Sequence, residues 1–290
     1  MQGDVRLSVS APGAHSARTG RRWLGPGLEV LATLAVIFFV IFPILWIALA
    51  SLKHQVDVYS TRLFFQPTLD NFRAIFAEPT LLGGKIWVSA LVSFVTVALT
   101  VPLGAAAAYV LSRHSFRGRE ALFLGVLVTQ FVPAVVIAIP FFTLFRSLNL
   151  IDTPIALIIV YLSFTLPYAI WMLRGFFDAL PVEVEEASFI DGCNELQTLR
   201  FVTIPLVMPG ILVSAVFAFI SAWNEFFFAL ILTRTQSLTL PVGMMSISGP
   251  RGPEWEQLAA AGMIVMVPIL VMSLFIRKYF VEGITVGAVK

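Results

Sequence analysis

The sequence predicts an all-α membrane protein of six transmembrane helices with both termini in the cytoplasm. Three observations lead there. The 290 residues are 58% hydrophobic and 12% charged, against roughly 45–50% apolar and 25% charged in soluble domains. Six apolar stretches are long enough to cross a bilayer, since about 20 helical residues span roughly 30 Å of hydrocarbon. None of the six alternates with period 2, and an open strand in hydrocarbon would leave backbone groups unpaired.

The spans fall at about residues 30–52, 86–112, 121–145, 153–173, 206–232 and 258–276. The fifth extends an uncharged run past Glu225. Before the first span, residues 1–27 are small and polar with no apolar period, which predicts a disordered tail. Arg21 and Arg22 followed by an apolar run, with Ala48-Leu49-Ala50 behind it, imitate a signal peptide. The run exceeds the 7–15 residues of a signal core, so an uncleaved first helix is expected. Residues 54–85 mix Tyr59, Phe64, Phe65, Phe72 and Phe76 with charges, which predicts short helices lying on the bundle. Residues 178–205 form a polar loop between the fourth and fifth spans. Residues 233–257 carry Pro241, Pro250 and Pro253 among glycines, the composition of an irregular surface loop. A glycine-punctuated tail, 281–290, closes the chain. No internal repeat is visible.

Lys and Arg set the orientation. With the N-terminus inside, Arg6, Arg18, Arg21, Arg22, Arg113, Arg117, Arg119, Arg174, Arg200, Arg277, Lys278 and Lys290 are cytoplasmic. Lys53, Arg62, Arg73, Lys85, Arg146, Arg234 and Arg251 are outside. The short loop from Arg113 to Arg119 weighs most under the positive-inside rule. The net charge of +2 gives no footprint for nucleic acid, and the basic residues are accounted for by topology. Cys193 is the single cysteine, so an internal disulfide is excluded and no thiol-based metal site is read. No catalytic, metal-ligating or cofactor-binding constellation is found.

Each span holds a proline: Pro43, Pro102, Pro133 and Pro140, Pro167, Pro209, Pro268. These fit either ordinary tolerance of proline in membrane helices or hinges that bend as the bundle works. Small residues at Gly104–Ala108 and Ala259–Gly262 predict helices packed closely inside the assembly.

The loop 178–205 carries the functional signal. Glu183, Glu185 and Glu186 fall within four residues, where the first turns of a helix favour negative charge. Pro181 suits the first helical position. Gly192, six residues after Glu186, can take the left-handed conformation that ends a helix. Val184, Ala187, Phe189 and Ile190 add an apolar component that a merely solvated loop does not need, and Ala187 and Ser188 leave room for a partner's backbone. A compact docking knob at the cytoplasmic surface is expected.

The spacing Glu186-Ala187-Ser188-x3-Gly192-x9-Val202-x-Ile204-Pro205 resembles the EAA loop of permease subunits of ABC importers, written EAA-x3-G-x9-I-x-L-P, with Ser188 in place of the usual Ala. In that family the loop is the coupling helix that seats in a groove of the ATPase subunit, which implies coupling roles for Glu185, Glu186, Ala187, Ser188, Asp191, Gly192, Ile204 and Pro205. Trp223-Asn224-Glu225 and the ending Gly283-Ile284-Thr285-Val286-Gly287-Ala288-Val289-Lys290 resemble the smaller permease of maltose- and trehalose-type sugar importers, whose membrane domain has the type I importer fold. There the end reads roughly GLTAGAVKG and reaches the interface between two ATPases. This implies that Gly283, Thr285, Gly287 and Lys290 contact the ATPases; this chain lacks the last glycine. The loop before the last helix, with Ser248, Gly249, Pro250, Arg251 and Trp255, corresponds to the segment that meets the sugar-binding protein. The implied partners are a second homologous permease, two ATPase subunits, an extracytoplasmic sugar-binding protein and the lipid bilayer of a bacterial or archaeal cytoplasmic membrane. ATP and Mg belong to the ATPase: no Gly-x4-Gly-Lys-Ser/Thr phosphate loop occurs in this chain. The expected role is transport, not catalysis.

Glu225 is the charge that falls inside a predicted span, and such a residue is a functional candidate because insertion costs about 2.5–3.5 kcal/mol. Three readings stay open. It lines a polar translocation path with Trp223 and Asn224, it pairs locally near the outer face, or it couples protons in a secondary transporter. The last would call for inverted repeats and further intramembrane ionisable groups. An ABC permease for a non-sugar solute is a further alternative.

Overall fold

Helix follows helix along the chain, as the apolar runs require. A computed structural model describes residues 26–249 and 252–288. Contacts divide the chain into two units, residues 1–46 and 47–290. Most of α1 (Pro26–Ser51) belongs to the first, where Phe38 and Phe42 stack one turn apart.

The second unit holds α2 (Asp70–Phe76), α3 (Leu82–Arg113), α4 (Arg119–Val128), α5 (Ala134–Ser147), α6 (Pro154–Ala179) and α7 (Val182–Ile190). It continues through α8 (Glu195–Thr198), α9 (Ile204–Leu206), α10 (Met208–Trp223), α11 (Phe227–Leu232), α12 (Leu240–Gly243) and α13 (Trp255–Ala288). Among the described residues, strand occurs only as a two-residue antiparallel pair, Ser248 opposite Pro253 and Gly249 opposite Gly252. The all-α membrane class is therefore borne out. Among the described residues, four unbroken helices are long and apolar enough to cross a membrane: Gly27–Ser51, Leu82–Arg113, Pro154–Ala179 and Trp255–Leu274. The number rises to six when each of two bent pairs counts as one span.

Those bends depart from the sequence expectation. The third span, expected unbroken over 121–145, is α4 and a 3-10 turn (Thr129–Phe131) meeting α5 at 95°. Pro133 lacks an N–H, and its ring drives Val132 into an extended conformation (φ −75°, ψ 119°), so the helix stops there. Pro140, by contrast, stays inside α5. The fifth span, expected over 206–232, is interrupted at Asn224-Glu225-Phe226, between α10 and α11. At its other end the segment Glu195–Leu206 meets α10 at 75°. Pro209 lies in the first turn of α10, where its missing N–H has no partner to lose. Within the expected tail 281–290, the backbone continues α13 as helix through Ala288.

Helices α3 and α6 form the most extensive pair. They approach closely because Gly104 has no side chain: a Cβ there would sit 3.0 Å from the Cβ of Ala169. Ala108, Ala260 and Ala261 are fully buried, as the small-residue runs predict. One face of α3 buries Ser89, Ser93, Thr96 and Thr100. Thr100 pairs with Thr165 of α6 at 2.7 Å, and Ser89 accepts the backbone N–H of Leu240 at 2.7 Å. Such hydroxyl pairs join helices where lipid removes any hydrophobic drive between them. At one end of the α3–α6 pair, Ala108, Tyr109, Leu173, Phe177 and Val207 form an apolar cluster on which the loop 178–205 is mounted.

Candidate functional site

The loop after α6 folds into a short helix with defined ends. Pro181, one residue earlier than expected, is the N-cap of α7, and Glu183 and Glu185 fall in the first turn, where the helix dipole favours them. Gly192 stops the helix at φ +90°. Its N–H donates to Phe189 O at 3.1 Å, and the Cys193 N–H donates to Ser188 O at 3.0 Å. This is the Schellman closure that a left-handed residue permits. Nothing lies within 4 Å of where a Gly192 Cβ would project, so the glycine serves backbone conformation rather than space.

A second turn follows at once. Asn194 accepts the Gln197 N–H at 2.9 Å, while Gln197 accepts the Asn194 N–H at 2.8 Å. The sequence signal for this capping box, Asn-x-x-Gln, went unread. The chain then widens into a π-helical turn, Leu199–Thr203, before Ile204 and Pro205 of α9.

One buried carboxylate clasps this assembly to α3. Glu185 is 3% exposed. It accepts Arg113 Nε at 3.0 Å and the Thr203 hydroxyl at 2.9 Å. Arg113 also donates to Leu180 O at 3.0 Å. Ser188 donates to Glu185 O at 2.7 Å, and its hydroxyl lies 2.7 Å from that of Thr198. At the rim, His114 Nε2 lies 3.0 Å from Glu195. The structure thus separates the residues grouped from sequence. Glu185 and Ser188 face inward and are buried, so neither lies on the outer surface of the loop. Glu186, Ala187, Phe189, Ile190, Asp191 and Gly192 are exposed. Ile190 is 87% exposed, and Leu196, Phe201 and Leu206 are exposed as well. Ile204 is half-buried and Pro205 exposed behind it.

The second predicted group divides too. Trp223 is buried, and its indole N–H donates to Val265 O of α13 at 3.1 Å. Asn224 caps the end of α10, donating to Ile220 O at 3.0 Å. Glu225 turns its carboxylate onto the start of α11, accepting Phe228 N–H at 2.8 Å and Ala229 N–H at 3.1 Å. These are orphan donors of a helix N-terminus. The same carboxylate lines a cavity of about 180 Å³ with Tyr161, Thr165 and Ser221. Glu225 is therefore paired locally, one of the three sequence readings, and the residue also borders this small void.

Ser248 and Gly249 form the first strand of the small β pair, and Trp255, about half exposed, opens α13. Pro250, Arg251 and Lys290 lie outside the described residues. Gly283, Thr285 and Gly287 fall on the helical backbone of α13.

Sequence reading missed Asp152, at the start of α6. Its carboxylate accepts the backbone N–H groups of Arg234, Thr235, Gln236 and Ser237, each at 3.0 Å. Burial alone raises this carboxyl; the four donors outweigh it and hold the pKa at about 2. Asp152 staples the loop after α11 to α6.

Comparison with known proteins agrees with this architecture. The model of the family "Binding-protein-dependent transport system inner membrane component" matches residues 100–286. A probable ABC transporter permease protein of Sinorhizobium fredii is 37% identical over 279 residues, 96% of this chain and 99% of that one. The trehalose transport system permease protein SugB of Mycobacterium tuberculosis is 35% identical over 272 residues, 90% of this chain and 96% of that one. A trehalose/maltose transport system permease protein of Thermococcus litoralis is 31% identical over 271 residues, 91% and 96% of the two chains. Among solved structures, a bacterial ABC transporter involved in alginate import shares the fold at a TM-score of 0.69 and 23% identity, covering 88% of this chain and 96% of that one. The resemblance carried by the loop motif and the C-terminal ending is borne out, and the chain belongs to the inner-membrane permease family of binding-protein-dependent ABC transport systems.

Proposed function

We propose that this chain is one of two permease subunits in an ATP-driven importer of oligosaccharides, with a disaccharide such as maltose or trehalose as the solute. The sugar class is supported by relatives named for trehalose and maltose transport and by the sugar-type ending of the sequence. Under this reading the chain binds no ATP. Two ATPase subunits carry ATP and Mg, a second permease completes the pathway, and an extracytoplasmic binding protein delivers sugar to the side bearing Ser248 and Trp255. The C-terminal Gly283, Thr285, Gly287 and Lys290 reach toward the ATPases.

The observation that carries the reading is the geometry of α7. A nine-residue helix, closed by Gly192, presents Glu186, Phe189 and Ile190 outward while Glu185 pins its back to Arg113. ATP closes the ATPases, α7 follows its groove, and the bundle changes access. The ATPase can bias the bundle only through contacts that differ between its two states, and this reading assigns them to the exposed face of α7. Glu225, committed to two backbone donors, is read as shaping the break between α10 and α11 at the edge of the solute path.

The test is a Glu186→Ala, Gly192→Pro double variant, expressed together with its partner ATPase, permease and binding-protein subunits. The expected result is normal membrane insertion with loss of ATPase copurification and of sugar uptake. Copurification and uptake at the parental rate would refute the docking assignment.

A further inference from the structure

The clasp at Glu185 is one end of a longer chain of contacts that crosses to the broken span. Arg113 Nη1 donates to Ser112 Oγ at 3.3 Å, and Ser112 Oγ donates to Asp178 of α6 at 2.5 Å. Asp178 faces Arg174 Nε at 3.4 Å. Arg174 then grips Glu120 of α4 with two parallel bonds, Nη1 at 3.1 Å and Nη2 at 2.7 Å. The guanidinium also lies over the Phe123 ring, 4.2 Å from its centroid. Arg174 is only 13% exposed although Glu120 is more than half exposed. Its planar fork therefore has a fixed place between α4 and α6.

What this chain reaches is the least straight element of the bundle. Helix α4 leads into the 95° break at Pro133, and α5 continues beyond it. The bend borders a largely apolar cavity of about 610 Å³, lined by Val126, Thr129, Pro140 and Pro167 among others. Coupling between distant sites needs an element that can change its arrangement, and at this break no continuous helix holds α4 and α5 in line. A single displacement of α7 would reach α4 through Glu185, Arg113, Ser112, Asp178, Arg174 and Glu120, without passing through the apolar core.

We infer that Arg174 is a positioning residue that transmits the seating of α7 to the broken span α4–α5 through its two-pronged grip on Glu120. The inference rests on the docking reading above and adds a route and a moving element to it.

The experiment uses the complete transporter with its ATPase subunits. Phe131, 83% exposed at the break, is replaced by cysteine in a Cys193→Ser background and labelled with an environment-sensitive fluorophore. ATP with vanadate is then added. The parent is expected to give a clear emission change. Arg174→Met, which keeps the apolar stem over Phe123, should reduce that change at least fivefold, as should Glu120→Gln at its exposed position. Arg174→Lys, which keeps charge but not the fork, should fall between. Thermal stability and ATPase copurification should stay at parental values in all of these. A full emission change in both Arg174→Met and Glu120→Gln, or none in the parent complex, overturns the inference. If Arg174→Met fails to fold, Glu120→Gln alone decides between these outcomes. Failure of the parent chain to copurify with its ATPase refutes the docking reading, and the transmission route falls with it.

Discussion

Replacing Glu185 by alanine should unclasp the docking loop while leaving its outer face chemically unchanged. The Glu185 side chain is 4% exposed and that of Arg113 9%, so solvent screens their interaction little. The substitution deletes the 3.0 Å bond from Arg113 and the 2.9 Å bond from Thr203. Removing one partner of a buried pair costs about 3–5 kcal/mol, mostly because the other charge is stranded. Arg113 keeps Leu180 O and Ser112 Oγ as acceptors, which favours the lower end, about 3 kcal/mol. At about 1.4 kcal/mol per decade, local opening of the loop should rise roughly a hundredfold. Cys193, half-buried just beyond Gly192 and unique in the sequence, is a built-in reporter. Its rate of reaction with a thiol reagent in detergent, measured where opening is faster than labelling, should increase by one to two decades in Glu185→Ala. It should change less than twofold in Glu186→Ala, which alters only the exposed face. Equal acceleration in both variants, or none in Glu185→Ala, would refute the division of the loop into a buried strut and a contact face.

Other expectations follow from the same geometry. In a Cys193→Ser background, a cysteine at Ser248 should react with an impermeant thiol reagent on intact cells and one at Ser115 only after permeabilisation; reversed labelling would overturn the assigned sidedness. The Asp152 carboxyl is held at about 2, below its ordinary 3.8. Its stabilising effect is therefore complete above about pH 5 and is lost as pH falls through 4 toward 2. The full depression corresponds to about 2.4 kcal/mol, and screening at this part-exposed site reduces it to about 1 kcal/mol. Asp152→Asn should accordingly lower the Tm at pH 7, with the difference from the parent shrinking as pH approaches 2. For Glu225, Gln keeps one of the two acceptors used by α11 and Leu keeps neither, so uptake at matched expression should fall modestly in Glu225→Gln and severely in Glu225→Leu. Equal loss in both, with uptake that follows external pH and needs no ATP, would favour proton coupling.

The sequence exposed what depends on local chemistry. The helix stop at Gly192 was legible because a glycine after an amphipathic acidic stretch has few other uses, and it is found at φ +90°. The long uncharged runs showed the class for the same reason. Contacts across long separations stayed hidden. Glu183, Glu185 and Glu186 look alike along the chain, and only the arrival of Arg113, 72 residues away, selects Glu185 for burial. Asp152 reads as a loop residue until the backbone 82 to 85 residues later folds onto it. The prolines were visible, yet proline alone does not decide between a bend and a break. Pro140 and Pro102 stay within helices, whereas Pro133 ends one, because Val132 is extended and the preceding turn has tightened to 3-10. At Glu225 the break was masked by the aromatic run Phe226–Phe228, which reads as continuous apolar helix.

The most direct test of the central claim is contact between α7 and the ATPase. A photo-cross-linking residue placed at Ile190, highly exposed at the end of the helix, should capture the ATPase subunit in membranes carrying the whole transporter. The same residue placed at buried Ser188 should not. A cross-link to the ATPase from position 190, lost in the Gly192→Pro background, is the predicted result. Capture of lipid alone from position 190, in a transporter that still imports sugar, would contradict the account.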